Sequence, residues 1–374
     1  MSLMEKVVLK LDKTRNRCNE KWWKAREAWT ATRRQRHYWS SVTPRKRVVV
    51  MVVPAVNVVS GGLISIFSIG RESRAVGRDM GFDVQMCVPP GSVPFSRNTR
   101  FVNDETIVTL DQVMARYDRP EALWIHVAAS MAKDFYASLG ERHQTWIRGA
   151  TRSWLNVLNQ NIDLMPGPDF LHGLKSLFTD VTVTASNIVY MTQSERDRLG
   201  VPLHRLSIYL DHRDYEKRGF ARKKDIIVIS PDRSPHKEAF LAMLEAKYPW
   251  LGRKIVQRMS YEAYKKLVVS ARWSITFGEG FDNYFREMIF TGGIGFTVFK
   301  PQFFPKAFKG QTPVFDSYED LLARFSEVFE KLHADPELYA RENTTLLQLL
   351  NGIYNRDEYR ANIRRYYQEN YDYK

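Results

Sequence analysis

Apolar runs alternate with amphipathic stretches along the chain after about residue 46, which predicts strands alternating with helices. The first run, RVVVMVVPA, is rich in β-branched residues, and the pattern that opens at Gly61-Gly62 predicts a helix to about Arg78. Further strands are predicted at GFDVQMCVPP, at EALWIHVAA ending with His126, and at VTVTA. Residues 130–159 have the pattern of amphipathic helices. The alternation predicts a parallel sheet with helices on both faces.

A second series of the same kind follows a charged stretch, LDHRDYEKRGFARKK. Its predicted strands are KKDIIVIS, GRKIVQRMS, RWSITFG and IGFTVFK, with helices between them and a helical tail to Lys374. The length of 374 residues suits two domains of about 150–200 residues each. The predicted organisation is a basic helical arm at 1–45, Rossmann-like domains at 46–212 and 213–345, and a C-terminal helix at 346–374 that packs back toward the N-terminal domain.

The segment from Val48 to Gly70 has 23 residues without a charge, which is long enough to cross a bilayer. Pro54, Asn57 and the Gly61-Gly62 pair interrupt its middle, however. We therefore predict a strand, a turn and a helix here, and no transmembrane segment.

The positive charge is concentrated at the N-terminus. Residues 1–47 hold fourteen Lys and Arg against four Asp and Glu, a surplus of ten out of a net charge of +14, and four of the nine Trp. Leu11, Cys18, Trp22, Ala25 and Trp29 form one stripe of a helix. A basic helix with an aromatic stripe is typical of an interfacial membrane anchor. The alternatives are a helix packed on its own protein and, less favoured, a nucleic-acid contact.

The two cysteines, Cys18 and Cys87, provide neither a disulfide framework nor a zinc-ligand set. A long charged segment precedes the first apolar run, and no secretory signal is evident. We therefore expect a cytoplasmic protein, either free or peripheral at the inner face of the membrane.

Two cations follow the first strand of the second series. In VISPDRSPHKE, Arg233 and Lys237 lie four residues apart at the start of a predicted helix. Together with the backbone N–H groups of the helix start they suit a diphosphate, although solvated surface cations are the alternative. Gly61-Gly62, at another helix start, allows the backbone to approach a ligand closely.

Two glutamates bracket the loop and helix of FGEGFDNYFREMIFTGG. Asp282 or Asn283 suits the N-cap of the helix, which places Glu287 in its first turns. A carboxylate there can accept two hydrogen bonds from a vicinal diol such as a ribose. Glu279 lies at the strand end. A cap and a surface acid are the structural alternative for either glutamate alone.

The E-x7-E spacing of Glu279 and Glu287, with Gly280-Phe281 after the first glutamate, resembles the family-4 retaining glycosyltransferases of GT-B architecture. RSPHK is similar to the diphosphate clamp of that family, and residues 56–84 are similar to its first strand, Gly-Gly turn and helix. The resemblance covers about residues 47–300. Departures are Asp282, Asn283 and Tyr284 in place of Gly-x-Pro, Met288 in place of Ala, and Gly295 in place of Pro.

The resemblance implies a GT-B fold, two Rossmann-like doubly wound domains facing a cleft, and a role for each motif residue. Arg233 and Lys237 would hold the nucleotide diphosphate, Glu287 the ribose hydroxyls, and Glu279 the transferred sugar and the charge at its anomeric carbon. His126 would contact the donor sugar, although a strand histidine is otherwise a satisfied core group. The donor would also meet Gly61, Gly62, Gly280, Phe281, Asn283 and Tyr284. No metal and no cofactor are expected, because a metal-binding Asp-x-Asp is absent from a suitable loop.

The expected function is transfer of a sugar from a nucleotide-sugar donor to a polysaccharide or lipid-linked glycan acceptor, with retention of anomeric configuration. The expected partners are the donor, the acceptor and, through residues 1–45, a membrane surface; nucleic acid is not expected. The alternatives are a membrane- or nucleic-acid-docking protein with a degenerate cleft, and another GT-B reaction such as inverting transfer or epimerisation.

Overall fold

The computed structural model describes residues 29–92, 96–206, 209, 215–257 and 259–374, which form two compact units. The described residues of the first unit lie within Met1–Val58 and Gly70–Thr182. Those of the second lie within Val59–Ile69 and Val183–Lys374.

A seven-stranded sheet has the order β3-β2-β1-β4-β5-β6-β7. Its strands are β1 (Arg47–Val52), β2 (Asp83–Val88), β3 (Ile107–Thr109), β4 (Ala122–Ala128), β5 (Arg152–Asn159), β6 (Asp180–Ala185) and β7 (Leu203–Arg205). The first strand pairs in parallel with both β2 and β4. Because the chain winds outward from β1 on one side and then on the other, the sheet is doubly wound, as predicted.

A five-stranded sheet lies in the second unit and has the order β12-β11-β10-β8-β9. Its strands are β8 (Lys224–Ile229), β9 (Gly252–Ile255), β10 (Ala271–Ile275), β11 (Ile294–Val298) and β12 (Val314–Phe315). All four of its strand pairs are parallel. The prediction of a second open parallel sheet is confirmed.

Helices connect the strands. They are α1 (29–41), α2 (Gly61–Met80), α3 (Leu110–Arg116), α4 (Ala132–Ser138), α5 (Glu141–Arg148), α6 (Pro168–Gly173), α7 (Gln193–Leu199), α8 (Pro235–Lys247), α9 (Tyr261–Ser270), α10 (Asn283–Phe290), α11 (Tyr318–Ala334), α12 (Pro336–Ile353) and α13 (Arg356–Tyr367). Single 3₁₀ turns lie at Ala129–Met131, Ile162–Leu164, Leu174–Ser176, Ile188–Tyr190, Phe220–Arg222 and Lys306–Phe308.

Each unit has its own apolar core. In the first unit, the central strands β1 and β4 are buried almost throughout, as expected for parallel strands covered on both faces, and Trp124 stacks on Trp154 with ring centroids 4.7 Å apart. In the second unit, the ring of Trp273 on β10 packs against Phe296 of β11, Phe329 of α11 and Tyr339 of α12. These cores fix the strand ends from which the candidate site is built.

The prediction that residues 130–159 are helical is wrong at its C-terminal end. Residues Arg152–Asn159 form strand β5, between β4 and β6, and every residue after Arg152 is buried. Burial on both faces of a sheet removes the polar alternation by which a strand is recognised, so its pattern cannot be told from that of a buried helix. Strand β4 also continues past His126 to Ala128, because Val127 and Ala128 pair with β5. The short strands β3, β7 and β12 were not predicted.

The segment Val48–Gly70 contains β1 and the start of α2, which confirms the predicted strand, turn and helix. Among the described residues, no helix has the length and apolar composition needed to cross a membrane.

The N-terminal arm is described only from residue 29, so Trp22 and Trp23 lie outside the described residues. Helix α1 packs on the edge of the seven-stranded sheet. Gln35 Nε2 donates to the backbone oxygen of Ile107 at 2.9 Å, and the Tyr38 hydroxyl donates to Gln85 Oε1 at 2.6 Å. This part of the arm is therefore a packed helix, and the membrane role expected for residues 1–45 remains a prediction.

The C-terminal residues return to β7 within the second unit. Leu203 and Tyr373 exchange backbone hydrogen bonds of 2.9 and 3.0 Å, and His204 Nε2 donates to the backbone oxygen of Asn362 at 2.8 Å. The predicted domain boundaries remain predictions.

Candidate donor-binding site

The carboxyl ends of the neighbouring strands β8 and β10 carry most of the predicted site residues. The loops that follow these strands are joined by hydrogen bonds. Ser230 N donates to the oxygen of Ile275 at 3.0 Å, and Phe277 N donates to the Ser230 hydroxyl at 3.0 Å. Open α/β sheets bind ligands at this edge.

Asp282 caps the N-terminus of α10. Its Oδ1 accepts hydrogen bonds from Tyr284 N at 2.9 Å and Phe285 N at 3.3 Å, and the Thr276 hydroxyl donates to Oδ2. The predicted helix start is confirmed. Burial raises the pKa of the Asp282 carboxyl, and the hydrogen bond from Thr276 opposes that shift. The residue that replaces the Gly of the family pattern therefore fixes the helix start with its own side chain.

Gly280 makes the turn between Glu279 and Phe281. Its φ of +88° is favourable only for glycine, and a β-carbon there would lie 2.7 Å from the Phe304 ring and 2.8 Å from the oxygen of Val298. Phe281 is buried against the rings of Phe304 and Phe308. Gly280 and Phe281 thus shape the loop, and Glu279 lies half-buried on it.

The loop after β8 brings two cations to the start of α8. Lys237 Nζ donates to the backbone oxygens of Ser230 at 2.5 Å and Asp232 at 3.1 Å, and burial lowers the pKa of its ammonium group. Arg233 is exposed and has no ion-pair or hydrogen-bond partner among the described residues. The side chain of Ser234 caps this 13-residue helix. A helix N-terminus beside two cations attracts an anion.

Asp232 contributes a carboxylate to the same loop. Its Oδ2 is buried without a hydrogen-bond partner among the described residues. A β-carbon built on Gly278 would lie 2.8 Å from this oxygen. The close approach explains why glycine precedes Glu279.

Glu287 lies on α10 and is fully buried. Its Oε1 accepts a hydrogen bond from the Tyr261 hydroxyl at 3.0 Å, and the Tyr215 and Tyr261 hydroxyls are 3.1 Å apart. Burial raises the pKa of the Glu287 carboxyl to about 7, against the hydrogen bond from Tyr261, which lowers it. A carboxyl group with such a pKa changes its charge near neutral pH.

Arg286 is a buried cation that the sequence reasoning missed. Its Nη2 donates to Asn283 Oδ1 at 2.6 Å, its Nε donates to the backbone oxygen of Asp282 at 3.2 Å, and its Nη1 donates to the Tyr354 hydroxyl. The side chain of Asn283 is thereby held at the first turn of α10. Tyr284 is held through its backbone oxygen, which accepts from the Ser274 hydroxyl at 2.7 Å.

Gly61 and Gly62 form the first turn of α2, as predicted, and the Ser60 side chain accepts a hydrogen bond from Leu63 N at 3.2 Å. These glycines belong to the second unit together with α10. A β-carbon built on Gly61 would lie 3.6 Å from Asn283 Nδ2. Two predicted motifs therefore meet at the start of α10.

His126 lies in the first unit and is fully buried in β4. Asn156 Nδ2 donates to its Nδ1 at 2.9 Å, and the Thr182 hydroxyl donates to Asn156 Oδ1 at 3.1 Å. Burial lowers the pKa of His126 to about 3, so the imidazole is neutral at physiological pH. The contact of His126 with a donor sugar remains a prediction.

No group of three His, Cys, Asp or Glu side chains within the described ranges is placed to hold a metal ion. The expectation that no metal is required stays a prediction.

Similarity to known proteins is confined to structure. No family model matches the sequence, and no curated protein matches it. Among solved structures, sucrose-phosphate synthase from Thermosynechococcus elongatus is similar with a TM-score of 0.55 at 9% identity, over 86% of this chain and 98% of that chain. The Anabaena protein HepE, solved in complex with UDP and glucose, is similar with a TM-score of 0.51 at 8% identity, over 87% of this chain and 99% of that chain.

These similarities and the two doubly wound parallel sheets define the fold class. The chain has the GT-B fold of two Rossmann-like domains.

Proposed function

We propose that this protein is a glycosyltransferase that moves a sugar from a nucleotide-sugar donor to a polysaccharide or lipid-linked glycan acceptor with retention of anomeric configuration. The observation that carries the proposal is the arrangement of three charged side chains in the second unit. A buried glutamate, Glu287, lies on the helix after β10, and the cations Arg233 and Lys237 lie at the helix start after the adjacent strand β8. The carboxylate of Glu287 suits a ribose, and the cations Arg233 and Lys237 suit a diphosphate.

The diphosphate would bind at the N-terminus of α8. Arg233 is available for an anion, and Lys237 is held by two backbone oxygens beside it. Negative charge builds on the departing diphosphate during transfer, and fixed cations together with oriented N–H groups stabilise that charge more than they stabilise the bound donor. These groups would therefore accelerate departure as well as bind.

The ribose would be held by Glu287. The Tyr261 hydroxyl already donates to this fully buried carboxyl group, so the ribose hydroxyls would reach Glu287 by displacing Tyr261. The carboxylate form accepts two hydrogen bonds from a vicinal diol, and binding would favour that form.

The transferred sugar would lie near Glu279. A carboxylate at this loop would accept hydrogen bonds from the sugar hydroxyls and offset the positive charge that develops at the anomeric carbon. Retention would proceed by departure and attack on the same face, with an oxygen of the leaving diphosphate taking the acceptor proton.

Turnover of a panel of nucleotide sugars tests the proposal, with release of the nucleoside diphosphate as the readout. We expect release from one donor, a strong loss in Glu279→Gln, and unchanged turnover in Glu337→Gln, a matched change at an exposed glutamate of α12. The anomeric configuration of the transferred sugar, determined by NMR, tests retention. An inverted or epimerised product would assign another reaction to the site.

A further inference from the structure

The first unit presents exposed apolar side chains on two loops. Val56 and Val58 are each 47% exposed in the loop after β1, and Val102 is 78% exposed in the loop after β2. Trp29, at the first described turn of α1, is 65% exposed. Such side chains are ordinary when isolated, and they suggest a contact surface when they cluster.

Hydrogen bonds hold the two loops together. Asn57 Nδ2 donates to the Thr99 hydroxyl at 2.8 Å, and Thr99 N donates to Asn57 Oδ1 at 3.0 Å. Asn98, itself buried, donates through Nδ2 to the backbone oxygen of Val58 at 2.7 Å. These bonds fix the segment that carries Val56 and Val58. Beside Val102, Asn103 Nδ2 donates to the backbone oxygens of Asn98 at 2.9 Å and Phe101 at 3.0 Å.

Two arginines of the loop after β2 bond to backbone oxygens of residues next to these valines. Arg100 Nε donates to the backbone oxygen of Asn57 at 3.2 Å, and Arg97 Nη2 donates to that of Asn103 at 2.6 Å. Arg34 Nε donates to the Thr106 hydroxyl at 3.3 Å, which places its guanidinium beside the same loop. Burial and the nearby Arg97 lower the pKa of the Arg34 guanidinium, and Asp104 opposes that shift. We call Val56, Val58, Val102, Arg34, Arg97 and Arg100 the loop face. The two guanidiniums on the loops donate to neutral backbone oxygens, and their charge is not cancelled by those bonds.

An anionic bilayer is the partner that this chemistry fits. Tryptophan side chains favour the headgroup level, exposed apolar side chains such as valine are stabilised when the bilayer buries them, and arginines attract anionic headgroups. A nucleic acid would use the arginines but would gain little from exposed valines, because phosphate contacts dominate its affinity. Residues 1–28 precede the described part of α1, and their sequence contains Trp22, Trp23 and further basic side chains.

We propose that the loop face docks on an anionic lipid bilayer. The loops follow β1 and β2, so the carboxyl edge of the seven-stranded sheet, where α/β sheets take their ligands, would meet the membrane. A lipid-linked acceptor would then reach this edge from the bilayer. Docking does not depend on the donor site and can be measured without nucleotide.

Co-sedimentation of the full chain with vesicles tests docking, using phosphatidylcholine alone and phosphatidylcholine mixed with phosphatidylglycerol. The double variant Val56→Asp/Val102→Asp removes the apolar contact at two exposed positions and lowers the net charge by two. Arg119→Glu lowers the net charge equally at an exposed residue before β4, at the opposite edge of the sheet.

We expect binding to the anionic vesicles, weakening with salt, and a loss of about tenfold or more in the double variant against less than about twofold in Arg119→Glu. Circular dichroism of both variants checks that they are folded. Equal losses of vesicle binding in the two variants would show that docking depends on net charge alone, and would overturn the role proposed for the loop face. Absence of vesicle binding by the wild-type chain, or binding to duplex DNA or RNA in its place, would also overturn the proposal.

Discussion

The Tyr261 hydroxyl donates a hydrogen bond to Glu287 Oε1 at 3.0 Å, across 26 residues of sequence. Glu287 is fully buried, and burial raises the pKa of its carboxyl to about 7. A tyrosine hydroxyl thus occupies the contact that the resemblance assigns to a ribose hydroxyl. The charge on the Glu287 carboxyl group therefore affects both the free energy of unfolding and the proposed binding of a nucleotide.

Nucleotide affinity is expected to depend on pH near 7. Ribose hydroxyls bond best to the ionised carboxylate, so binding below pH 7 releases a proton from Glu287. The affinity should fall toward a limit of about tenfold for each pH unit below 7. Calorimetric titrations in two buffers that differ in ionisation enthalpy measure the released proton. A binding enthalpy independent of the buffer would contradict the role of Glu287.

Glu287→Gln is expected to change how stability depends on pH. The carboxyl pKa is about 7 in the folded chain against 4.5 for the unperturbed group, so the folded chain binds more protons between these values. The free energy of unfolding of the wild type therefore decreases as the pH rises from 4.5 to about 7, by up to about 3 kcal/mol. Glutamine does not titrate, so Glu287→Gln lacks this decrease. The free energy of unfolding of the variant should rise relative to that of the wild type as the pH increases from 4.5 to about 7. Denaturant unfolding at a series of pH values checks this, with Glu337→Gln as the exposed control.

Gly280→Ala is expected to destabilise the second unit. A methyl group there would combine a φ of +88° with close contacts to Phe304 and Val298, and we expect a cost of at least about 2 kcal/mol. Gly310 has a similar φ of +80° and no atom within 4 Å of a built β-carbon. Gly310→Ala should therefore cost about 1 kcal/mol from backbone strain alone. Thermal unfolding of the two variants separates strain from crowding, and equal losses would show that the packing around Gly280 is unimportant.

Arg233→Gln is expected to weaken binding of the nucleoside diphosphate by about tenfold while leaving the folded state intact. Its guanidinium makes no bond to the described part of the chain, so its removal breaks no structural contact. The corresponding nucleoside, which lacks the phosphates, should bind both proteins equally. Arg341→Gln, at an exposed position of α12, is the charge control. Equal affinity of the wild type and Arg233→Gln for the diphosphate would remove Arg233 from the site.

Long apolar runs, often rich in β-branched residues, made most strands of the two sheets predictable from sequence. The runs VVVMV in β1 and IIVI in β8 are continuous and apolar, because parallel strands are buried on both faces. Strand β5 was predicted to be helical because it is also buried on both faces and lacks alternation, and its Trp, Leu and Val residues follow directly on amphipathic helices. The two-residue strand β12 is too short to leave a pattern.

The candidate site was predictable where residues are close in sequence. The N-cap role of Asp282 at α10 follows from the preference for aspartate at helix starts, and the need for glycine at position 280 follows from the turn that it makes. The partners of Glu287 did not follow, because Tyr261 lies on another helix and only folding brings it near. Arg286 was missed because nothing in its neighbours marks a buried cation whose partner, Tyr354, is 68 residues away.

Calorimetric titration of the full chain with UDP, GDP, dTDP and CDP at moderate salt is the sharpest test of the proposed donor site. We predict micromolar binding of one of the four, lost in Glu287→Gln and retained in Glu337→Gln. That result would place a nucleoside diphosphate on the helix starts of the second unit and name its base. Binding of none of them by the folded wild-type chain would contradict the proposed donor site.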